Sequence, residues 1–178
     1  MEAIKLAGLE PAAVFGYFEK LCSVPHGSGN TKQISDLLVD FAKEKGIRYI
    51  QDELNNVIFF QEGTCGYEDH APVILQGHMD MVCDKDPDCP IDMEKEGLDV
   101  THDGSCVYAK GTTLGGDNGI AVAYIMALLA DKTIPHPPLE VIITVDEETG
   151  KPIPASIAFV PSVVGLIVAS EVIKDLIK

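Results

Sequence analysis

The sequence predicts an α/β domain, a three-layer sandwich with helices packed on a central sheet. Three observations predict it. Two short apolar runs rich in β-branched residues, Pro72–Leu75 and Val141–Val145, have the length and composition of buried strands. Between them, Asp117–Ala130 carries Ile120, Ala121, Tyr124, Ile125, Leu128 and Leu129 at helical spacing. Ahead of both strands stand two further amphipathic patterns. Helices followed by strands mixed with a long helix imply a sheet covered by helices.

The elements follow in order. Pro11–Leu21 reads as a first helix with Val14, Phe15, Phe18 and Leu21 on one stripe, and Pro11 suits its first turn. Val24–Asn30 is a loop by its proline, glycine and asparagine. Thr31 is expected to cap a second helix running to Lys45, with Ile34, Leu37, Leu38 and Phe41 inward and Gly46 as its stop. Ile47–Gln51 and Val57–Gln61 read as strands about a turn at Asn55–Asn56. Gly63–Ala71 is a loop, and Pro72–Gln76 a buried strand. Residues 83 to 113 are polar and irregular, with a short hairpin near Leu98–Thr101 and Cys106–Ala109. Leu139–Val145 is a second buried strand. Ile153–Ser170 has no charge and reaches the transmembrane threshold of about 18 residues. Its two prolines, glycine and three serines favour a buried strand-turn-helix instead.

Composition narrows the function classes. At 178 residues, 46% hydrophobic and 23% charged, the chain is expected to fold around one core. Its 28 acidic and 13 basic residues leave a net charge of −15, which argues against nucleic acid or an anionic membrane as partner. The five cysteines, an odd number, match no disulfide framework or zinc-knuckle spacing, and are expected to be thiols in a reducing cytosol. The N-terminus lacks a signal-peptide pattern, so a cytoplasmic location is expected.

Three motifs carry the chemistry. Gly77-His78-Met79-Asp80 closes one strand, and Leu114-Gly115-Gly116-Asp117-Asn118-Gly119 opens the long helix. Val145-Asp146-Glu147-Glu148-Thr149-Gly150 closes the other strand. Residues two apart on a strand point the same way, so His78 and Asp80 can sit together. A ligating histidine usually donates its other ring N–H to a carboxylate. Asp117 at a helix start is favoured by the dipole and the free amides. Three acids after a buried strand are costly unless solvated or paired with a cation. Taken singly, the motifs are equally a polar strand end, an N-cap and a solvated acidic turn. Taken together they suit a divalent ion such as Zn²⁺ at a catalytic site.

Longer stretches around these motifs resemble a known family. They are Val24-Pro25-His26-Gly27-Ser28-Gly29-Asn30-Thr31, Leu75-Gln76-Gly77-His78-Met79-Asp80-Met81-Val82, Lys110-Gly111-Thr112-Thr113-Leu114-Gly115-Gly116-Asp117-Asn118-Gly119 and Thr144-Val145-Asp146-Glu147-Glu148-Thr149-Gly150. From Leu9 to Gly150 the chain resembles the N-terminal catalytic part of aminoacyl-histidine dipeptidases, also called Xaa-His or cytosol non-specific dipeptidases. The resemblance implies a dizinc-peptidase type of sandwich with a mixed sheet, here without the family's lid domain. It implies that His78 binds one zinc with Asp80 in support. It further implies that Asp117 bridges two zincs, Glu147 is the general base and Glu148 binds the second zinc. The implied reaction is hydrolysis of a small dipeptide. The family draws two further ligands, an aspartate and a histidine, from later in a longer chain.

The family pattern breaks after Gly150, which divides the chain into a partial catalytic domain, residues 1–150, and a hydrophobic tail, residues 151–178. The tail resembles the end of ubiquitin-activating-type adenylyltransferases such as the tRNA threonylcarbamoyladenosine dehydratases, without their nucleotide-binding residues. Glu171 falls near the position of the family's aspartate ligand, but its neighbours do not match. His26 sits in a family loop, and His70, His102 and His136 are expected at the surface. With the two later ligands unmatched, weak metal binding and little or no turnover are expected. The rival expectation is an inactive truncated or fused fragment that at most binds a metal or a partner.

Overall fold

The computed structural model describes residues 5–149 other than Cys65. The tail 151–178 and its expected strand-turn-helix lie outside the described residues.

The first helix, α1 (Ala12–Cys22), buries Val14, Phe18, Leu21 and Cys22, a stripe at four-, seven- and eight-residue spacing. Pro11 stands one residue ahead of it, at the cap position, and its carbonyl accepts the Phe15 N–H at 3.2 Å. The second helix, α2 (Lys32–Lys45), buries Ile34, Ser35, Leu38, Val39, Phe41 and Ala42. It ends at Gly46, whose φ of 70° closes the last turn. Thr31 precedes the helix but makes no side-chain cap, contrary to expectation. Its backbone already lies in the helical region, whereas a capping side chain needs an extended residue to reach the free amides.

Two strands follow, β1 (Arg48–Gln51) and β2 (Val57–Gln61), joined by a turn in which Asp52 accepts the Leu54 and Asn56 amides. Asn55 takes the left-handed conformation there, with φ 74°. The strand β3 (Val73–His78) comes next. A small hairpin, β4 (Val100–His102) and β5 (Val107–Ala109), lies apart from the main sheet. The long helix α3 (Gly116–Ala130) leads to β6 (Leu139–Thr144), and a 3₁₀ turn, Glu147–Thr149, ends the described chain.

The main sheet has the order β1-β2-β6-β3. β1 pairs antiparallel with β2, β2 antiparallel with β6, and β6 parallel with β3, so the sheet is mixed as expected. The register puts Val57 opposite Ile143, Phe59 opposite Val141, and Leu75 opposite Val141 on its other side. These residues face the helices. Phe41 of α2 meets Phe59 edge-on at 6.2 Å, and Val122 of α3 lies over Gly77. α1 covers α3, with Phe18 against Gly119. Fully burying a Val, Ile or Phe side chain is worth about 1.5–3 kcal/mol, so this interface is a main source of stability.

The described residues supply the sheet and one helical layer. On the other face, Ile50, Ile58, Ile142 and Gln76 form one cross-strand row, and Ile74 stands beside it. Ile74 is 54% exposed and Ile50 51%. The expectation that the 72–76 strand is buried therefore holds for one side only. β3 is an edge strand, and no described element covers its second face.

Candidate metal centre

Two parallel neighbouring strands, β3 and β6, end together, with His78 opposite Thr144 in the register. The carboxyl ends of parallel strands are where α/β sheets open a crevice. His78, the last residue of β3, is buried. Beyond β6, Asp146 takes a left-handed φ of 58° and turns the chain back. The bend lays the 3₁₀ turn over Asp80. Asp80 Oδ1 accepts the Glu147 N–H at 3.1 Å, and Oδ2 accepts the Glu148 N–H at 3.2 Å. Ser28 Oγ donates to Oδ2 at 2.7 Å. His78 Nδ1 lies 3.0 Å from the Asp80 carbonyl and 3.4 Å from Oδ1. Asp80 is 1% exposed, and its carboxylate is occupied by donors.

The other ring nitrogen of His78 faces the opening. Nε2 lies 3.3 Å from Asp117 Oδ1 and 3.9 Å from Glu147 Oε2. Asp117 caps no helix amide. It falls within the span of α3 but leaves the helical region, at φ −88° and ψ 110°, and the regular helix starts after it. That break aims its carboxylate across at His78. Gly115 carries a φ of 69° ahead of the break, and a Cβ there would lie 2.9 Å from Met81 Sδ. His78, Asp117 and Glu148 each offer one donor atom, and the three atoms lie within 4.8 Å of one another. One imidazole and two carboxylates form a donor set suited to zinc or a similar ion, which binds such groups at about 2.0–2.2 Å. The residues present fit such an ion.

Electrostatics point the same way. Burial lowers the pKa of His78, but the hydrogen bond and charge of Asp80, with the charge of Glu147, outweigh it and carry the pKa up to about 9. Burial raises Asp80, but His78, Ser28 and the two amides outweigh it and bring it down to about 2. Glu148 is pushed up by burial and by the neighbouring carboxylates Glu147, Asp117 and Asp80, against the pull of His78. The carboxylates of Asp80, Asp117, Glu147 and Glu148 gathered around one imidazole make a negative site whose repulsion a cation would offset.

Beside the cluster lies a recess of about 710 Å³ whose lining includes Ser28, Asn30, Met81, Cys83, Met93 and Glu148. Glu148 belongs to both recess and donor set. The loop bearing Ser28 was legible only as a loop and as a matching stretch. Its contact with Asp80 spans 52 positions, so no local pattern reveals it. Of the remaining histidines, His26 is buried with Nδ1 2.7 Å from the Val24 carbonyl. His136 corrects the expectation of a surface residue, being only 4% exposed. Its backbone and ring are tied to Thr64 and Gln61 at the end of β2. Cys22, Cys83, Cys89 and Cys106 are free thiols, and burial, aided by the charge of Glu19, pushes Cys22 up to about 12. Among the described residues no helix is long and apolar enough to cross a membrane.

The family model of Peptidase family M20/M25/M40 matches residues 74–173, more than half of the chain, and runs past residue 150. The chain belongs to that family. It is 42% identical over 146 residues to a cytosol non-specific dipeptidase of Escherichia coli (strain K12), a match covering 82% of this chain and 30% of that protein. Among solved structures it is similar to an aminoacylhistidine dipeptidase from Vibrio alginolyticus. The TM-score is 0.78 at 41% identity, over 82% of this chain and 30% of that one. A tripeptidase from Staphylococcus aureus shares the fold, with a TM-score of 0.62 at 22% identity over 78% of this chain and 37% of that one. This M20/M25/M40 chain thus spans about a third of the length of its relatives. The family match extends into the tail, as far as residue 173, past the break in the family pattern expected after Gly150.

Proposed function

We propose that this chain carries part of the catalytic centre of a metal-dependent dipeptidase acting on Xaa-His dipeptides in the cytoplasm. The observation that carries the reading is the convergence of His78, Asp117 and Glu148 within 4.8 Å, with Glu147 Oε2 3.9 Å from the same histidine. His78, Asp117 and Glu148 hold the metal, taken as Zn²⁺. An ion held there would supply Lewis acidity toward the scissile carbonyl and toward the attacking water. Glu147 is the general base: its carboxylate takes a proton from the attacking water and returns it to the leaving amine. Asp80 holds the His78 ring by its Nδ1 edge and the amides of Glu147 and Glu148, so that ligand and base share one anchor.

The number of ligands among the described residues favours a second reading, a fragment that binds metal or a partner but turns over little. A zinc site normally takes three protein ligands and an open position. Two zincs sharing Asp117 would have only two ligands each from the described set. Titration with zinc, followed by a dipeptide hydrolysis assay, separates the readings. Turnover that Glu147→Gln abolishes while metal affinity is kept supports the enzyme. Metal binding without turnover supports the fragment, and absence of metal binding rejects the enzyme and leaves the fragment as a partner binder alone.

A further inference from the structure

His78, Asp117 and Glu148 come from three separate segments, and the loop Gly27–Asn30 ties two of them together. It runs alongside the exit of β3. Gly27 bridges Met81, the Ser28 N–H donates to the Met81 carbonyl at 3.2 Å, and the Met81 N–H donates to the His26 carbonyl at 3.1 Å. The approach is close enough that a Cβ on Gly27 would lie 2.4 Å from Cys83 Sγ. From this position Ser28 Oγ reaches Asp80 Oδ2 at 2.7 Å, and the Gly29 N–H reaches Asp146 Oδ1 at 2.6 Å. Asn30 Nδ2 donates to the Glu94 carbonyl at 2.9 Å, which fastens the loop to the far wall of the recess.

We propose that Ser28 is a positioning residue for the metal-donor set, acting through Asp80, and that the loop Gly27–Asn30 braces the site. The proposal rests on the reading of His78, Asp117 and Glu148 as metal ligands. Ser28 makes the shortest of the contacts to the Asp80 carboxylate, 2.7 Å against 3.1 and 3.2 Å for the two amides and 3.4 Å for the imidazole. Without its hydroxyl, Oδ2 keeps only the Glu148 amide. The carboxylate is then free to rotate toward that amide and away from the ring. His78 loses its lateral support, and the 3₁₀ turn carrying Glu147 and Glu148 loses its fixed seat. Gly29 holds the neighbouring Asp146 in its left-handed bend, so the loop fixes both sides of Glu147 at once.

The test is Co²⁺ binding to the full chain, followed by visible absorption. Ser28→Ala, Ser28→Thr and Ser35→Ala are compared with the unsubstituted protein. Outer-shell partners of metal ligands typically change affinity by about 10–100-fold, and Ser28 stands one step further out. Ser28→Ala is therefore expected to weaken Co²⁺ binding about 10-fold and to change the spectrum at saturation. Ser28→Thr, which keeps the hydroxyl, restores both. Ser35 is buried, and its hydroxyl donates to the Asn55 carbonyl at 2.8 Å and accepts from the Gln51 amide at 2.7 Å, bonding neither Asp80 nor a residue of the donor set. Ser35→Ala is expected to lower Tm without moving the spectrum. A Ser28→Ala protein with unchanged affinity and spectrum overturns the proposal, as does a threonine variant that behaves like the alanine one. Equal spectral changes from Ser28→Ala and Ser35→Ala also overturn it, because the effect is then general loosening. An unsubstituted chain that binds no Co²⁺ overturns the metal reading itself, a separate and recognisable result.

Discussion

Replacing Asp80 by asparagine keeps its shape and removes one acceptor and the charge. The two oxygens of Asp80 receive backbone N–H groups on opposite sides, Glu147 on Oδ1 and Glu148 on Oδ2. An asparagine has one oxygen to offer. Whichever way its amide is turned, its NH₂ faces one of those two N–H groups. Turned toward Oδ2 it can still donate to Ser28 Oγ, but the Glu148 amide is lost; turned toward Oδ1 it loses the Glu147 amide. One buried donor left unpaired costs about 1–3 kcal/mol. The surviving bonds lose their charge assistance, about 1 kcal/mol each. Asp80→Asn is therefore expected to destabilise the metal-free chain by roughly 2–5 kcal/mol at pH 7, a large part of a typical total of about 5–15. At about 2–4 °C per kcal/mol, Tm falls by roughly 4–20 °C. The assay is urea unfolding of both proteins, with NMR titration of the His78 ring alongside. In the variant the ring loses the partner that does most to raise its pKa, so its titration moves down from about 9. A stability loss under about 0.5 kcal/mol with an unchanged His78 titration would refute this account of Asp80.

Other outcomes follow from the same geometry. Because His78 titrates higher folded than its ordinary 6.5, its contribution to stability is complete below pH 6.5 and is lost as pH rises through about 9. Urea midpoints of the metal-free chain are thus expected to fall across that window, and saturating zinc to flatten the fall; a midpoint that climbs there contradicts it. Phe59→Ala empties a fully buried position against Phe41 and is expected to cost about 3–5 kcal/mol in urea unfolding. Gly97→Ala places a Cβ 2.4 Å from the Ser23 backbone and is expected to destabilise by more than about 2 kcal/mol. Gly16→Ala, inside α1 with nothing within 4 Å, is expected instead to stabilise by about 0.5–1 kcal/mol. Melting curves of the last two variants decide the pair.

By itself the sequence determined the elements and marked the residues that the fold gathers into one cluster. Hydrophobic spacing is a local property, so α1, α2, α3 and the strands stood within a residue or two of their expected bounds. Gly46 and Asn55 declared their turns because few residues take a positive φ without cost. His78, Asp117, Glu147 and Glu148 stood out because acids and a histidine at strand and helix ends are costly without a purpose. What only the tertiary structure decided was long-range. Periodicity does not say which face of a strand finds a cover, so it does not reveal that Ile74 and Ile50 are exposed. A helix pattern does not reveal that Asp117 leaves the helix to face a histidine 39 positions away. The burial of His136 depends on Gln61 and Thr64, more than 70 positions back. The same holds for Ser28. Its residue type suits any loop, and only chain folding brings its hydroxyl onto a buried carboxylate, because hydrogen bonds act over ångströms in space and leave no period in the chain.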